Sequence, residues 1–340
     1  MKPLNLIIEA ARQTPRRIVL PEGEDARIVE AAVRAKRDGL AEIILIGNRE
    51  VVAGRLKTAG ASTDGFRIED PVTSALSVPL TAAFHDMRKS KGVDATAARE
   101  ALRSPLMFAA MMVREGEADG TVGGAVATTA DTVRAALQTI GPARGVGVVS
   151  SFFLMLLCAP HHPKKGVFLF SDCGLVVDPD AAGLADIARM SARSYEALAR
   201  EPARVAMLSF STSGSAAHER VAKVVEATRL ARKVNPELAI DGELQFDTAF
   251  VEAVCAAKAP NSEVHGDANV FVFPSLEAAN IGYKIAERIG GATAVGPILQ
   301  GLAKPANDLS RGCTADDAYN MIAVTVVQAH RIGLSAHPVG

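Results

Sequence analysis

The stretch RIVLPEGEDARIVEAAVRAKRDGLAEIILIG, which spans residues 17–47, decides the fold class of the chain. Its apolar start at 17–22 is typical of a short strand, and residues 25–39 show helical spacing that ends at a glycine. A second apolar strand pattern follows at 43–47. Strand, helix and strand in this order predict a βαβ unit, and therefore an α/β fold with mostly parallel sheets covered by helices.

The same alternation of strand and helix patterns continues along the chain. Further strands are predicted at 148–160, 167–170, 203–210 and 270–273, and further helices near 216–233, 278–289 and 317–332. A polar loop between the first two of these strands predicts a hairpin and marks a candidate domain start. A chain of 340 residues exceeds the usual size of one hydrophobic core. We therefore expect two α/β domains, residues 1–147 plus 298–340 and residues 148–297, with a ligand cleft between them.

Composition narrows the classes of function. Hydrophobic residues make up 49% and charged residues 22% of the chain, as in ordinary globular proteins. The net charge is −1 and aromatic residues are only 4%, without any Trp, so the sequence lacks the usual footprint of a nucleic-acid-binding protein. An anionic ligand therefore depends on individually placed arginines.

Cysteine spacing and the N-terminal segment predict the compartment. The four cysteines show no CxxC or CxxH spacing, which argues against a disulfide framework or a zinc site and favours a reducing compartment. The N-terminal segment reaches Glu9 before a signal-peptide core can form, and the most apolar run, 148–160, is too short to span a bilayer. We expect a cytoplasmic protein without membrane contact.

The stretch GPILQGLAKPANDLSRGCTADD, residues 296–317, contains the strongest candidate for a functional site. It leads into the last predicted helix and presents Ser310, Arg311 and Asp317 on a strand-to-helix turn. When a thiol attacks an acyl phosphate, a carboxylate can take the thiol proton, and a guanidinium with a hydroxyl can stabilise the developing charge. Structural alternatives stay open at this point. Asp317 can instead cap the last helix together with Thr314. Ser310 can be a turn residue, and Arg311 can form a surface ion pair.

The run FHDMRKSKG at 84–92 contains a further candidate for anion binding, Arg88. Several cations close together most often mark the solvated end of a helix, where the helix dipole favours positive charge. An anion site is the second interpretation of this run.

The glycine-rich segment 119–126 precedes a predicted helix that contains the candidate substrate-binding residues Thr129 and Arg134. Glycines let the backbone approach a ligand, and free amides at a helix start attract phosphate. The segment matches neither a dinucleotide fingerprint nor a Walker loop. A capping box between Thr128 and Asp131 explains the same helix start without a ligand.

Several segments resemble the phosphate acetyltransferase family, in order and at fitting separations along essentially the whole chain. They are PEGED at 21–25, GAV at 124–126, MLSFST at 207–212, DGELQFD at 241–247, NIGYK at 280–284 and the stretch 296–317. The resemblance implies reversible acetyl transfer between CoA and inorganic phosphate in a ternary complex. It also implies two α/β domains of the isocitrate/isopropylmalate dehydrogenase-like architecture, usually in a homodimer. CoA and acetyl-CoA are then substrates, with no tightly bound cofactor and no metal.

The resemblance also assigns roles to individual residues. Ser310, Arg311 and Asp317 match the family's catalytic serine, arginine and aspartate, with the aspartate as the base that takes the thiol proton. Arg88 and Arg134 match its two further anion-binding arginines.

Three positions, Ser275, Ala279 and Ala127, depart from the family's usual pattern. They leave the catalytic residues intact and bear on cleft shape, CoA affinity and acyl preference. The alternatives are a phosphate acyltransferase for a longer chain such as butyryl, and a non-catalytic module that senses acetyl-CoA. A decarboxylating dehydrogenase of similar architecture needs a cluster of acidic metal ligands and a nicotinamide site, and the sequence shows neither.

Overall fold

The computed structural model describes residues 2–335, and the chain divides into two compact units. The first, here called the returning unit, comprises residues 4–143 and the segment that starts at residue 302. The second, here called the central unit, comprises residues 144–301 and also residues 2 and 3. The chain therefore leaves the returning unit once and re-enters it near its C-terminal end.

Helices and strands alternate in the first part of the returning unit. They are α1 (Lys2–Gln13), β1 (Arg16–Leu20), α2 (Ala26–Arg37), β2 (Ala41–Ile46), α3 (Arg49–Thr58), β3 (Arg67–Glu69), α4 (Ser77–Arg88), α5 (Ala95–Ala101), α6 (Pro105–Glu115), β4 (Gly120–Gly123) and α7 (Thr129–Thr139).

The central unit follows, and the chain then returns. The central elements are β5 (Ser150–Leu157), β6 (Gly166–Ser171), α8 (Ala181–Ala199), β7 (Arg204–Leu208), α9 (Glu219–Val234), β8 (Ala239–Leu244), α10 (Phe246–Phe250), α11 (Glu252–Lys258), β9 (Val270–Val272), α12 (Leu276–Arg288) and β10 (Thr293–Gln300). The returning segment forms β11 (Ala306–Asp308) and α13 (Ala315–Ser335).

The returning unit contains a five-stranded sheet in the order β11-β4-β1-β2-β3, in which all neighbouring strands are parallel. The βαβ unit predicted from residues 17–47 is confirmed, with Ile18 of β1 opposite Ile43 of β2. Helix α2 begins where the Asp25 side chain accepts a hydrogen bond from the Arg27 amide. The predicted α/β class with mostly parallel sheets is therefore confirmed.

Helix α13 packs against α2, β1 and β4 of the same unit. Its residues Ile322, Val324 and Val326 are 0% exposed, so the predicted burial of this helix is confirmed. Removing these apolar side chains from water is the main reason why the C-terminal segment rejoins the returning unit.

The central unit contains a six-stranded sheet in the order β10-β5-β6-β9-β7-β8. β5 runs antiparallel to β6 and to β10, which confirms the predicted hairpin, while β6, β9, β7 and β8 are parallel neighbours. The sequence patterns missed two of these strands. β8 contains Asp241 and Glu243, which interrupt its apolar pattern, and β10 has an irregular register between Val295 and Ile298.

The two longest helices are α13 with 21 residues and α8 with 19. Across residues 2–335, the structure contains no helix that is long and apolar enough to cross a membrane.

Candidate functional site

Three loops meet at the carboxyl edge of the parallel sheet in the returning unit. They follow the neighbouring strands β1, β4 and β11 and comprise residues 21–25, 124–128 and 309–314. In open α/β sheets ligands bind at this edge, where loops and helix starts converge. The turn that carries the candidate catalytic residues therefore lies where such a fold presents its site.

The turn after β11 is fixed to β4 and exposes two of the candidate catalytic side chains. The Leu309 amide donates to the Gly123 carbonyl oxygen at 2.7 Å. Ser310 is exposed, and its Oγ accepts a hydrogen bond from the Gly312 amide at 3.2 Å. Ser310 is thus a turn residue, as the structural alternative stated, but its hydroxyl proton can still be donated to a ligand.

Arg311 is exposed on the same turn. Among residues 2–335 it has no ion-pair partner, so the alternative of a surface ion pair is wrong for the described part of the chain. Arg311 and Ser310 are therefore two exposed neighbours in sequence on this turn.

Asp317 forms the capping box that the sequence indicated as an alternative. Its Oδ2 accepts from the Thr314 amide at 2.8 Å and from the Thr314 hydroxyl at 2.9 Å, and its own amide donates to Thr314 Oγ1 at 3.2 Å. Within the described residues no hydrogen bond ends on Oδ1. The neighbouring Asp316 instead pairs with Arg34 Nη1 at 2.5 Å, so the two adjacent carboxylates have different partners.

Arg27 connects the turn after β11 to the loop after β4. Its Nη1 donates to the carbonyl oxygens of Arg311 at 2.8 Å and Cys313 at 3.0 Å, and its Nη2 donates to the Ala125 carbonyl oxygen at 2.7 Å. The Asp25 carboxylate accepts two further hydrogen bonds from this guanidinium. These hydrogen bonds are the main reason why the pKa of Asp25 is lowered. Sequence reasoning missed Arg27. The available signal was its position just after the PEGED segment.

Glu22 occupies the backbone amides of the loop after β4. Its carboxylate accepts from the amides of Ala125 at 2.7 Å, Val126 at 2.9 Å and Ala127 at 2.8 Å. These three amides are therefore engaged by the protein itself. Glu22 fixes the loop in place, a role that the sequence did not indicate.

The start of α7 is capped, as the structural alternative proposed. The Asp131 amide donates to Thr128 Oγ1 at 3.2 Å, and the Thr128 hydroxyl donates to the Asp131 carboxylate at 2.7 Å. Arg134 is exposed and pairs with the same carboxylate at 2.6 Å. Both contacts lower the pKa of Asp131, the Thr128 hydrogen bond first. Thr129 is exposed at the first position of the helix.

Arg88 ends α4 and differs from the lysines that follow it. Lys89 is exposed and pairs with Asp86 at 2.9 Å, as expected for the solvated end of a helix. The Nε of Arg88, in contrast, is buried and has no hydrogen-bond partner among the described residues. The structure does not join Arg88 to the turn after β11 through any hydrogen bond or ion pair within residues 2–335. Buried donors without a partner are uncommon in folded proteins.

Asp308, the last residue of β11, is a second acidic group that the sequence analysis did not single out. It is 0% exposed, and neither carboxylate oxygen has a hydrogen-bond partner of good geometry in the described structure. Burial raises its pKa to about 6. The only sequence signal was an acidic residue at the end of the short strand, directly after Asn307.

Two further expectations concern a possible metal site and the three positions that depart from the family pattern. Within residues 2–335, no group of three or more His, Cys, Asp or Glu side chains is arranged to hold a metal ion. Ala279 is fully buried in the core of the central unit, Ser275 precedes α12, and Ala127 contributes its amide to Glu22.

The fold and the turn define an α/β protein with a hydroxyl, a guanidinium and a carboxylate at the carboxyl edge of a parallel sheet. A family model described as phosphate acetyl/butaryl transferase matches residues 3–326. The phosphate acetyltransferase of Paracoccus denitrificans is 53% identical over 329 residues, which cover 96% of this chain and 99% of that protein. The phosphate acetyltransferase of Acetivibrio thermocellus is 45% identical over 332 residues, which cover 98% and 99%.

A solved structure agrees with these relatives. The crystal structure of a phosphotransacetylase from Streptococcus pyogenes has a TM-score of 0.92 at 44% identity, covering 97% of this chain and 98% of that one. The chain belongs to the phosphate acetyl/butaryl transferase family. The resemblance first noted in separate segments is thereby confirmed over nearly the whole chain.

Proposed function

We propose that this chain is a phosphate acetyltransferase, which reversibly transfers an acetyl group between CoA and inorganic phosphate. The observation that carries the proposal is the 53% identity over 329 residues to the Paracoccus denitrificans phosphate acetyltransferase. The exposed turn with Ser310 and Arg311, followed by Asp317 at the start of α13, supports the same activity.

The chemistry follows from the three side chains of the turn. Asp317 takes the proton from the CoA thiol, because a free thiol is mostly protonated at neutral pH. The thiolate sulfur attacks the carbonyl carbon of acetyl phosphate, a C–S bond forms, and the C–O bond to phosphate breaks. Inorganic phosphate leaves with the electron pair, and the proton on Asp317 passes to solvent. Arg311 and Ser310 stabilise the charge that develops on the carbonyl oxygen and the leaving phosphate.

Capping and proton transfer are compatible at Asp317. Both hydrogen bonds to its carboxylate end on Oδ2, which leaves Oδ1 for the thiol proton. The cap fixes the χ angles of the side chain, so the base is already oriented before substrate binds. We therefore assign both roles to this one residue.

We assign Arg88, Arg134 and Thr129 to the phosphate groups of the two substrates. The buried, unpartnered Nε of Arg88 supports this assignment because an anion supplies the missing acceptor. Arg134 pairs with Asp131 on the surface, where water screens the ion pair and weakens it. A doubly charged phosphate is a stronger partner and can replace that carboxylate.

Thioester formation from CoA and a panel of acyl phosphates tests the proposal. We expect acetyl phosphate to be preferred over butyryl phosphate by about tenfold or more in kcat/KM. We also expect no loss of activity with EDTA, since no metal has a role in the proposed reaction. Preference for butyryl phosphate identifies the longer-chain acyltransferase. Binding of acetyl-CoA without turnover of any acyl phosphate identifies the sensing module, and either result overturns the proposal.

We further infer a homodimer that works in the cytoplasm. Helix α12 and the residue after it expose a line of isoleucines at helical spacing: Ile281 is 58%, Ile285 53% and Ile289 83% exposed. An exposed apolar stripe supports contact with a second copy of the chain. Light scattering should show the wild type as a dimer and Ile285→Glu as a monomer. A monomeric wild type contradicts the homodimer. The free cysteines, of which Cys158 is exposed, agree with a reducing compartment.

A further inference from the structure

Asp308 carries a carboxyl group that is buried at the end of a strand. The residue ends β11, opposite Gly123 of β4, and is 0% exposed. Among the described residues, neither Oδ1 nor Oδ2 has a hydrogen-bond partner of good geometry. A buried acidic group without partners costs free energy and is uncommon in folded proteins. Its position two residues before Ser310 relates it to the proposed site.

Gly124 brings the loop before α7 directly onto this carboxyl group. Its φ is +102°, and a Cβ atom there would lie 2.2 Å from Asp308 Oδ1 and 2.7 Å from the Leu309 carbonyl oxygen. Only glycine fits such a backbone position at such a distance. The carboxyl group is therefore enclosed between the loop that leads to Thr129 and the turn that carries Ser310.

The charge state of Asp308 is sensitive to its surroundings. Burial raises its pKa to about 6, the charge of Glu22 adds to the rise, and the nearby Thr129 and Thr132 hydroxyls oppose it. Further charged side chains on the three loops and at the starts of α2, α7 and α13 include Glu24, Asp25, Arg27, Asp131, Arg134, Arg311, Asp316 and Asp317. An anion bound at Thr129 adds negative charge and favours the protonated acid further.

We propose that Asp308 is a positioning residue that holds a proton while a phosphate group is bound, and donates it in a hydrogen bond to Thr129 Oγ1. This inference rests on the proposed function, in which Thr129 contacts the phosphate. A neutral acid is a hydrogen-bond donor, so the Thr129 hydroxyl can direct its own proton at the phosphate. An ionised Asp308 only accepts, and draws that proton away from the anion. Binding of the phosphate group is then coupled to uptake of a proton.

Calorimetry on the wild-type protein tests the coupling directly. Sulfate is the probe, because it resembles phosphate but does not titrate near neutral pH. The binding enthalpy is measured at about pH 7 in buffers of different ionisation enthalpy, and we expect uptake of about one proton per sulfate. Binding without proton uptake overturns the inference. This measurement needs no variant, so poor folding of a mutant does not remove it.

Asp308→Asn assigns the proton to this residue, because asparagine keeps the shape and the donor but cannot titrate. In the wild type the Kd for sulfate should rise by roughly tenfold per pH unit above about 6, until the pKa of the bound state is reached. In Asp308→Asn the Kd should stay nearly constant over this range, without proton uptake. Thr129→Val should also lose the uptake, with weaker binding at every pH.

His85→Gln is the matched control. His85 lies on α4, which ends at Arg88, and it has no part in the proposed contact between Asp308 and Thr129. This variant should keep the proton uptake of the wild type. If His85→Gln abolishes the uptake or Asp308→Asn retains it, the proton does not belong to Asp308. If the wild type forms the thioester but binds sulfate without taking up a proton, only the inference about Asp308 is wrong. If the wild type turns over no acyl phosphate, the proposed function is wrong.

Discussion

Arg27 Nη1 lies 2.8 Å from the backbone carbonyl oxygen of Arg311 and donates a hydrogen bond to it. The same guanidinium donates to the carbonyl oxygens of Cys313 and Ala125. A single side chain from the start of α2 therefore holds the turn after β11 against the loop after β4. A guanidinium suits this role because its donors lie in one plane and point in fixed directions, which an ammonium group cannot reproduce.

Arg27→Lys should lower activity more than it lowers stability. A lysine reaches one of the three carbonyl oxygens, so the turn with Ser310 and Arg311 loses its fixed position. We expect kcat to fall by about tenfold to a hundredfold, because misplacement of a catalytic group by about 1 Å has effects of that size. The free energy of unfolding should fall by about 1–2 kcal/mol. Steady-state kinetics and urea unfolding measure both quantities.

Arg34→Lys is the control for this variant. Arg34 lies on the same helix and pairs with the exposed Asp316, away from the carbonyl oxygens that Arg27 binds. Its replacement should leave kcat close to that of the wild type. Equal losses of kcat in both variants mean that the effect comes from α2 in general rather than from the Arg27 contacts.

Asp317→Asn separates the base from the helix cap. An asparagine oxygen can still accept the hydrogen bond from the Thr314 amide, so the free energy of unfolding should change by less than about 1 kcal/mol. The thiol proton loses its acceptor, and we expect kcat to fall by about a hundredfold or more. Asp316→Asn is the matched control, because its carboxylate pairs with Arg34 instead. A normal kcat together with reduced stability in Asp317→Asn shows that the residue is only a cap.

Arg311→Gln and Arg88→Gln should change different kinetic parameters. Arg311 is proposed to act on charge that develops in the transition state, so its loss should lower kcat by about a hundredfold. Arg88 is proposed to bind a phosphate group throughout, so its loss should mainly raise KM for a phosphate-bearing substrate. Arg103→Gln is the control, because Arg103 pairs with Glu100 on the exposed end of α5. Small and equal effects at Arg311 and Arg88 indicate that both arginines are structural.

The sequence patterns predicted those features that depend on local periodicity. The β1, α2 and β2 elements follow from apolar spacing and a glycine, and the burial of α13 follows from its row of valines and isoleucines. Ser310 and Arg311 are adjacent in sequence, so their placement on one exposed turn needed only the punctuation around them.

Contacts between distant segments were beyond the sequence patterns. Arg27 binds a carbonyl oxygen 284 positions away, and Glu22 binds amides more than a hundred positions away. The groups that accept or donate these hydrogen bonds belong to the backbone, which is the same for nearly every residue type. The sequence therefore could not indicate the roles of Arg27 and Glu22. The different partners of Asp316 and Asp317 depend on where Arg34 lies on α2. The burial of Asp308 depends on the neighbouring strand and on Gly124, which only the fold brings together.

Asp308→Asn should stabilise the protein at alkaline pH. This effect on stability is separate from the expected loss of the pH dependence of anion binding. The pKa of Asp308 is about 6 in the folded protein against an ordinary value of 3.8. Between these values the folded state binds more protons than the unfolded chain, so the free energy of unfolding falls as the pH rises from about 4 to about 6. Above that range the buried carboxylate costs up to about 3 kcal/mol, since one pKa unit corresponds to about 1.4 kcal/mol.

Asparagine removes this charge without changing the shape of the side chain. Urea unfolding at about pH 8 should therefore show Asp308→Asn to be more stable than the wild type, and the difference should disappear at about pH 4. Asp316→Asn, at an exposed position, is the control for the loss of one carboxylate. If Asp308→Asn is less stable than the wild type at about pH 8, the carboxylate makes compensating hydrogen bonds in solution. The acid is then ionised at neutral pH, and the proton proposed for Thr129 must come from another group.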